Sequence, residues 1–287
     1  MKSPDRRQFF EFASAAFLLG GLEHASAAPR VRLRKALKFG MVGVEGSLRD
    51  KFQAALDAGF EGIELDSPND LDSDEVLSAK EATGIELPGV VDSVHWHKTL
   101  GDPDPAVRAE GVAGLETALG DCKIYGGTTV LLVPAVVNGR ISYAEAYVRS
   151  IGEIEKVLPL AKELGIQIAI ENVWNNFLLS PLEAARYVDT FGSDLVGWYM
   201  DIGNIVKYGW PAQWLRTLGK RVLKLDIKDY SRKTGWAKIG EGDSDWPEVM
   251  RALADIGYEG WASAEVAGGG PERLKEISER MDRVFAA

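Results

Sequence analysis

Cysteine is almost missing: Cys122 stands alone in 287 residues, so no intramolecular disulfide can form in any redox compartment. It falls on the stripe Val112, Leu115, Leu119, Cys122, which predicts a buried thiol in a helix core rather than a nucleophile. A basic excess is missing too. Lys and Arg number 33 against 43 Asp and Glu, a net charge of -10, whereas binding to a phosphate backbone needs clustered positive charge. Nucleic acid is therefore excluded as a partner, and small polar substrates fit better. No G-x-G-x-x-G follows the first β-rich run, which removes the dinucleotide site of an open doubly wound sheet. No low-complexity tract or linker marks a second domain, and no apolar run is long enough for a stable membrane span.

What is present is an ordinary globular composition, 46% hydrophobic and 26% charged, enough to bury a large core. Residues 1–28 stand apart. Arg6 and Arg7 precede the short apolar stretch FASAAFLLGG, and HASAAP offers small residues for peptidase cleavage after Ala27. DRRQFF resembles the twin-arginine export motif, with Asp5 where Ser or Thr is usual and Glu11 where Lys is common. The expectation is a periplasmic or otherwise exported protein, carried across already folded and loaded with any cofactor; an amphipathic first helix is the alternative.

From residue 36 to 287 one unit recurs: a β-rich run, a loop, then a helical pattern. Strands are expected at 37–43, 62–66, 89–96, 128–134, 166–172, 195–201, 222–228 and 260–266. Amphipathic helices are expected at 49–58, 105–124, 143–164, 181–191, 246–256 and 271–285, with Ser180 and Asp245 as N-caps beside first-turn prolines. Strict alternation implies parallel strands joined by crossovers, and eight units in a chain of this size predict one (β/α)8 TIM barrel.

In such a barrel alternate residues face the interior, and chemistry gathers at the strands' C-terminal ends. In IQIAIEN, Ile166, Ile168 and Ile170 face helices while Gln167, Ala169 and Glu171 face inward. WYMD ends on Asp201, VLKLDIK carries Asp226 inward near its end, and WASAEV does the same with Glu265. The strand at 222–228 thus turns Leu223, Leu225 and Ile227 one way and Lys224, Asp226 and Lys228 the other. Four carboxylates sharing one barrel end would raise one another's pKa values by burial and repulsion. A divalent cation held by Glu171, Asp201, Asp226 and Glu265 resolves this, with Lys224 and Lys228 balancing the remainder.

With ENV ending the fifth strand, DIGN the sixth, DIKD the seventh and AEV the eighth, residues 36–285 resemble the xylose isomerase-like sugar isomerase/epimerase superfamily. In its ketose 3-epimerases these four strands hold one metal through Glu, Asp, His and Glu. The resemblance places Glu171, Asp201 and Glu265 in that set, with Asp226 at the histidine position and Asn204 at the histidine that often ends D-x-G-H. An all-oxygen shell favours Mn2+ or Mg2+ over zinc. The resemblance also implies that Glu171 and Glu265 are catalytic, one removing a proton beside a carbonyl and the other returning one.

Further candidates surround this cluster. His95 and His97, in SVHWHK, are expected on one side of the third strand as sugar contacts or as structural histidines. Glu64 could bind sugar hydroxyls or form an ion pair behind the cluster. Trp174 could stack on a sugar or simply pack, and Asn172, Asn204 and Lys228 are polar contacts to substrate. The glycine-rich loop 238–246 is expected to cover the site, and AGGGPE (267–272) is an ordinary glycine turn rather than a phosphate cradle, since Glu272 sits in the following first turn. The resulting expectation is a metal-dependent isomerase or epimerase of an unphosphorylated keto sugar or keto-glycoside, compatible with a homo-oligomer. A 3-keto-glycoside lyase or hydrolase using the same enolate is the near rival, and a non-catalytic carbohydrate-binding barrel the distant one. An endonuclease IV-like enzyme is disfavoured, because its multi-zinc site needs more histidines than the two beyond residue 28.

Overall fold

The computed structural model describes residues 31–287; the export-signal expectation for residues 1–28 lies outside them. Among the described residues ten strands and nine α-helices follow in order: β1 Leu33–Lys38, α1 Leu48–Asp57, β2 Gly62–Ser67, α2 Ser73–Thr83, β3 Gly89–Asp92, α3 Pro105–Tyr125, β4 Thr129–Leu132, α4 Tyr143–Leu164 and β5 Gln167–Glu171 form the first part. There follow α5 Pro181–Thr190, β6 Val196–Asp201, α6 Ile202–Val206, α7 Pro211–Leu218, β7 Val222–Ile227, β8 Asp229–Ser231, β9 Gly235–Ala237, α8 Trp246–Asp255, β10 Gly260–Ala264 and α9 Pro271–Phe285. Eight strands close a parallel barrel in the order β1-β10-β7-β6-β5-β4-β3-β2, while β8 and β9 form a separate antiparallel hairpin. This is the (β/α)8 architecture.

Local chemistry starts and stops the helices. Ser47, Asp72, Asp104, Ser142, Ser180 and Asp245 each accept a first-turn amide hydrogen bond, and Gly84, Gly126 and Gly165 end α2, α3 and α4 in the left-handed region. Six helices fall where periodicity places them. The other three, α2, α6 and α7, are not among those expected: α2 buries only Val76 and Ala79, α6 has five residues, all buried, and α7 buries Pro211, Trp214, Leu215 and Leu218 along one side but is only eight residues long. No helix among the described residues is long and apolar enough to cross a membrane.

The main core lies between strands and helices, where Leu37, Ile63, Val130, Ile168, Ile170, Leu225 and Ile227 meet residues such as Leu115, Leu119 and the buried Cys122. Inside the barrel the apolar cluster is small: Leu131, Ala169 and Tyr199, flanked by Val91 and Leu223. Leu223 departs from strict alternation. The register slips between Trp198 and Tyr199, so Val222 pairs with Trp198 and Lys224 with Tyr199, leaving Leu223 as an extra residue turned inward. Gly197 permits this, since a Cβ there would stand 2.5 Å from the Leu223 side chain.

Three features of the strands also differ from expectation. β1 begins at Leu33 and ends at Lys38, four and five residues ahead of the predicted limits; β3 stops at Asp92, where a turn begins; and a hairpin follows β7. The loop 238–246 is not the cover over the site. The amides of Gly240, Gly242 and Ser244 and the indole of Trp246 all donate to the Asp229 carboxylate, which winds the loop around that residue. Gly268 and Gly269 serve close approach of the chain to residues 41–43: Gly43 donates to the Gly269 carbonyl and Gly269 to that of Met41, and a Cβ on Gly268 would stand 2.0 Å from the Met41 oxygen. Replacing Asp229 by Ala strands these donors and should cost about 3 kcal/mol in urea unfolding, with faster proteolysis at 238–246; wild-type stability and cleavage would refute the anchoring role.

Candidate active site

Glu171 closes β5, Asp201 closes β6, Asp226 is the penultimate residue of β7, and Glu265 directly follows β10. These four strands are successive neighbours in the barrel, so the acids form an arc: Asp201 and Asp226 pair across its middle, and the two glutamates stand at its ends. One oxygen from each lies within 4.8 Å of the others. Asp201 and Asp226 are fully buried, Glu171 nearly so, and the Glu265 side chain keeps 38% exposure.

Asp201 is the best-partnered of the four. Its Oδ1 accepts the Asn204 amide at 2.8 Å, and its Oδ2 accepts Asn204 Nδ2 at 2.6 Å and faces Lys228 Nζ at 2.7 Å. The same Lys228 ammonium donates to Glu265 Oε2. By contrast, Glu171 Oε1 and Asp226 Oδ2 have no hydrogen-bond partner among the described residues, and Asp226 Oδ1 has only the Lys38 ammonium at 2.9 Å, off the line of a hydrogen bond. Burial, then the charges of Glu265 and Asp226, push Glu171 well above the usual carboxylate range. Burial does the same to Asp226 despite Lys38, and lifts Asp201 to about 6 although Lys228 pulls it back.

Behind the arc lies a second charged layer. Glu64 Oε1 meets Lys224 Nζ at 2.7 Å; its Oε2 accepts from Lys38 at 2.8 Å, from the Tyr199 hydroxyl at 2.6 Å and from the Ser263 hydroxyl at 2.9 Å. Burial alone would raise the Glu64 pKa, but Lys224 and Lys38 outweigh it and hold the group ionised. Across both layers five carboxylates meet three lysines, Lys38, Lys224 and Lys228, so full ionisation would leave an excess of two negative charges. Two unpartnered buried oxygens, four converging hard donors and that excess together fit one divalent cation.

A cleft of about 550 Å³ opens over the cluster, lined by Glu171, Lys228 and Glu265 together with Asp66, Asp92, His95, Trp96, Trp174 and Asn204. His95 Nδ1 accepts the Val133 amide at 3.3 Å, which leaves the proton of the neutral ring on Nε2. Burial, helped by the Lys38 charge, pushes its pKa down to about 3. Burial lifts Asp92 to about 7. Trp174 donates to the Asn204 carbonyl at 2.9 Å and stacks on Trp236 of the hairpin, ring centres 4.7 Å apart.

Three expected substrate contacts lie elsewhere. His97 is exposed and absent from the cleft wall, because the chain turns after Asp92: the amides of His97 and Lys98 both bond to the Val94 carbonyl, so alternation no longer applies. Glu64 has both oxygens engaged behind the arc and does not line the cleft, in keeping with the ion-pair alternative. Asn172 is buried, absent from the cleft wall and engaged at both ends of its amide, donating to the Asp201 carbonyl at 2.8 Å and accepting from the Trp198 indole and the Asp201 amide. It braces Asp201 instead. Sequence reasoning missed Lys38, Asp92, Tyr199 and Trp236. Lys38 carries a signal, as the last inward residue of LRKALK, but the strand was expected four residues later.

The family model described as a xylose isomerase-like TIM barrel matches residues 52–284. The chain belongs to this family. A curated relative of this xylose isomerase-like barrel, L-ribulose-5-phosphate 3-epimerase UlaE of Salmonella paratyphi A, is 25% identical over 233 residues, 80% of this chain and 78% of its own length. Among solved structures, 3-keto-D-glucoside 4-epimerase YcjR from E. coli superposes with a TM-score of 0.75 at 16% identity, covering 89% of this chain and 100% of that one. IolI, solved with a bound zinc atom, gives 0.73 at 18% identity over 88% of this chain and 98% of its own. At these identities the two structures attest to the barrel fold.

Raised carboxylate pKa values mean that a cation must displace protons from the xylose isomerase-like cluster near neutral pH. Divalent-ion affinity should therefore rise as pH climbs through about 6, where Asp201 ionises, and go on rising as Glu171 and Asp226 lose their protons, with proton release visible as a buffer-dependent heat in titration calorimetry; affinity that does not change with pH would contradict the buried arrangement. Lys38→Met leaves Glu64 and Asp226 short of a counter-charge and should cost about 3–5 kcal/mol in chemical unfolding. Unchanged stability would show that Lys38 does not balance them.

Proposed function

We propose that this barrel is a metal-dependent sugar isomerase or epimerase acting on an unphosphorylated keto sugar or keto-glycoside by proton transfer beside a carbonyl. The observation that carries this reading is the arc itself: two glutamates stand at its ends, either side of two buried aspartates, and Glu171 keeps one oxygen free of hydrogen bonds. Glu171, Asp201, Asp226 and Glu265 would hold the ion, whose bound form supplies Lewis-acid polarisation of the carbonyl. Their all-oxygen donor set favours Mn2+ or Mg2+.

The chain's own groups divide the remaining work. Glu171 Oε1 takes the proton from the carbon beside the carbonyl, and Glu265 delivers one to the enolised substrate, or the reverse. Lys228 holds Glu265 and Asp201 in place, while Asn172 and Asn204 fix Asp201 from behind. His95 offers its Nε2–H to a sugar hydroxyl. Trp174 offers apolar ring surface. The cleft's charged lining is Asp66, Asp92, Glu171 and Glu265 against Lys228 alone, which disfavours a phosphorylated sugar. Export by the twin-arginine route is part of the same proposal and rests on residues 1–28 alone.

In heavy water, the manganese-loaded protein should place deuterium beside the carbonyl of its substrate, read by NMR. A new stereoisomer identifies epimerisation, and a released aglycone identifies elimination. Glu171→Gln should slow the exchange by roughly a hundredfold to ten-thousandfold with the fold intact by circular dichroism; undiminished exchange would refute the role of Glu171.

A further inference from the structure

The cleft has a neighbour. A second cavity of about 480 Å³ is walled by Trp236, Ala237, Lys238, Val266, Ala267 and Arg273, and it shares Lys228 and Glu265 with the first. Each cavity alone falls within the roughly 300–1,000 Å³ of a small-molecule site. A free monosaccharide needs only one of them, yet the two meet at a residue assigned to proton transfer.

We infer that the substrate is a keto-glycoside, with its keto-sugar ring in the cleft beside Glu171 and its aglycone, a neutral ring with an apolar face, in the second cavity beside Trp236. The inference rests on the enolisation chemistry proposed above and narrows its substrate class. The placement follows from the lining: Glu171 borders only the first cavity and Glu265 borders both, so the carbon undergoing proton transfer lies in the first and its substituent passes Glu265 into the second. Trp236 remains 54% exposed even though it is held by stacking on Trp174 and edge contact with Tyr230, which leaves a rigid indole with uncovered surface. Such surface suits ring stacking at little entropic cost. Val266, Ala237 and Ala267 continue the wall without charge. Three cations line it, and each has a carboxylate partner: Lys238 and Arg273 share Glu276 at 2.7 Å each, and Lys228 is held by Asp201 and Glu265.

The test compares kcat/KM for solvent-deuterium exchange by the manganese-loaded protein on a free 3-keto hexose, a 3-keto disaccharide and a 3-keto aryl glycoside. At least one glycoside should exceed the free sugar by about tenfold or more, and the better of the two identifies a sugar or an aryl aglycone. Trp236→Ala, which removes the platform, and Ala267→Trp, which fills the cavity, should each collapse that ratio towards one through KM. Circular dichroism confirms that both variants fold. A free sugar handled as well as either glycoside, or a preference that survives both substitutions, overturns the inference while leaving enolisation intact. Exchange into none of the three overturns the enolisation reading and this inference with it.

Discussion

The interior of this barrel is organised around one buried carboxylate, Glu64, clamped between the ammonium groups of Lys224 and Lys38. A (β/α)8 barrel usually fills its centre with branched apolar side chains. Here that filling is reduced to Leu131, Ala169 and Tyr199 with two flanking residues, and the space above is occupied by charge. Charge at that depth is tolerated only when it is paired and its remaining lone pairs are satisfied. Tyr199 and Ser263 complete the bonds of Glu64, and Lys38 reaches past it to Asp226, so the layer that supports the arc also offsets part of its charge.

The reactive character of the cleft follows from what that layer leaves undone. It compensates Glu64 fully and Asp226 incompletely, and it does not touch Glu171. Two buried oxygens, Glu171 Oε1 and Asp226 Oδ2, are therefore left without hydrogen-bond partners, and both carboxyls are pushed well above the usual range. Displaced pKa values of this kind gather where chemistry is done. The neutral His95 and the stacked pair Trp174 and Trp236 complete a site that combines concentrated negative charge at its base with aromatic walls, a combination suited to a polar ring with an apolar face.

The sequence made the barrel and the arc legible because both rest on local periodicity. Eight apolar-alternating runs separated by helical stripes leave little choice of architecture, and Glu171, Asp201, Asp226 and Glu265 recur at equivalent strand ends. Where periodicity fades, so did the reading. The helix α2 buries only Val76 and Ala79, β1 begins four residues ahead of the expected run, and the alternation of the third strand ends at Asp92, where a turn parts His97 from His95.

The sequence by itself determined which residue types stand at the barrel's reactive end, since a strand's period of two and the position of its last residue depend on neighbours along the chain alone. Only the tertiary structure decided what each group faces. Glu64 and Lys224, separated by 160 positions, become an ion pair because β2 and β7 turn both side chains into one interior. Asn172 braces Asp201 because β5 and β6 are neighbours, and Trp236 meets Trp174 because a hairpin after β7 reaches the loop after β5. Such pairings depend on closure of the barrel, a long-range property that no local pattern encodes.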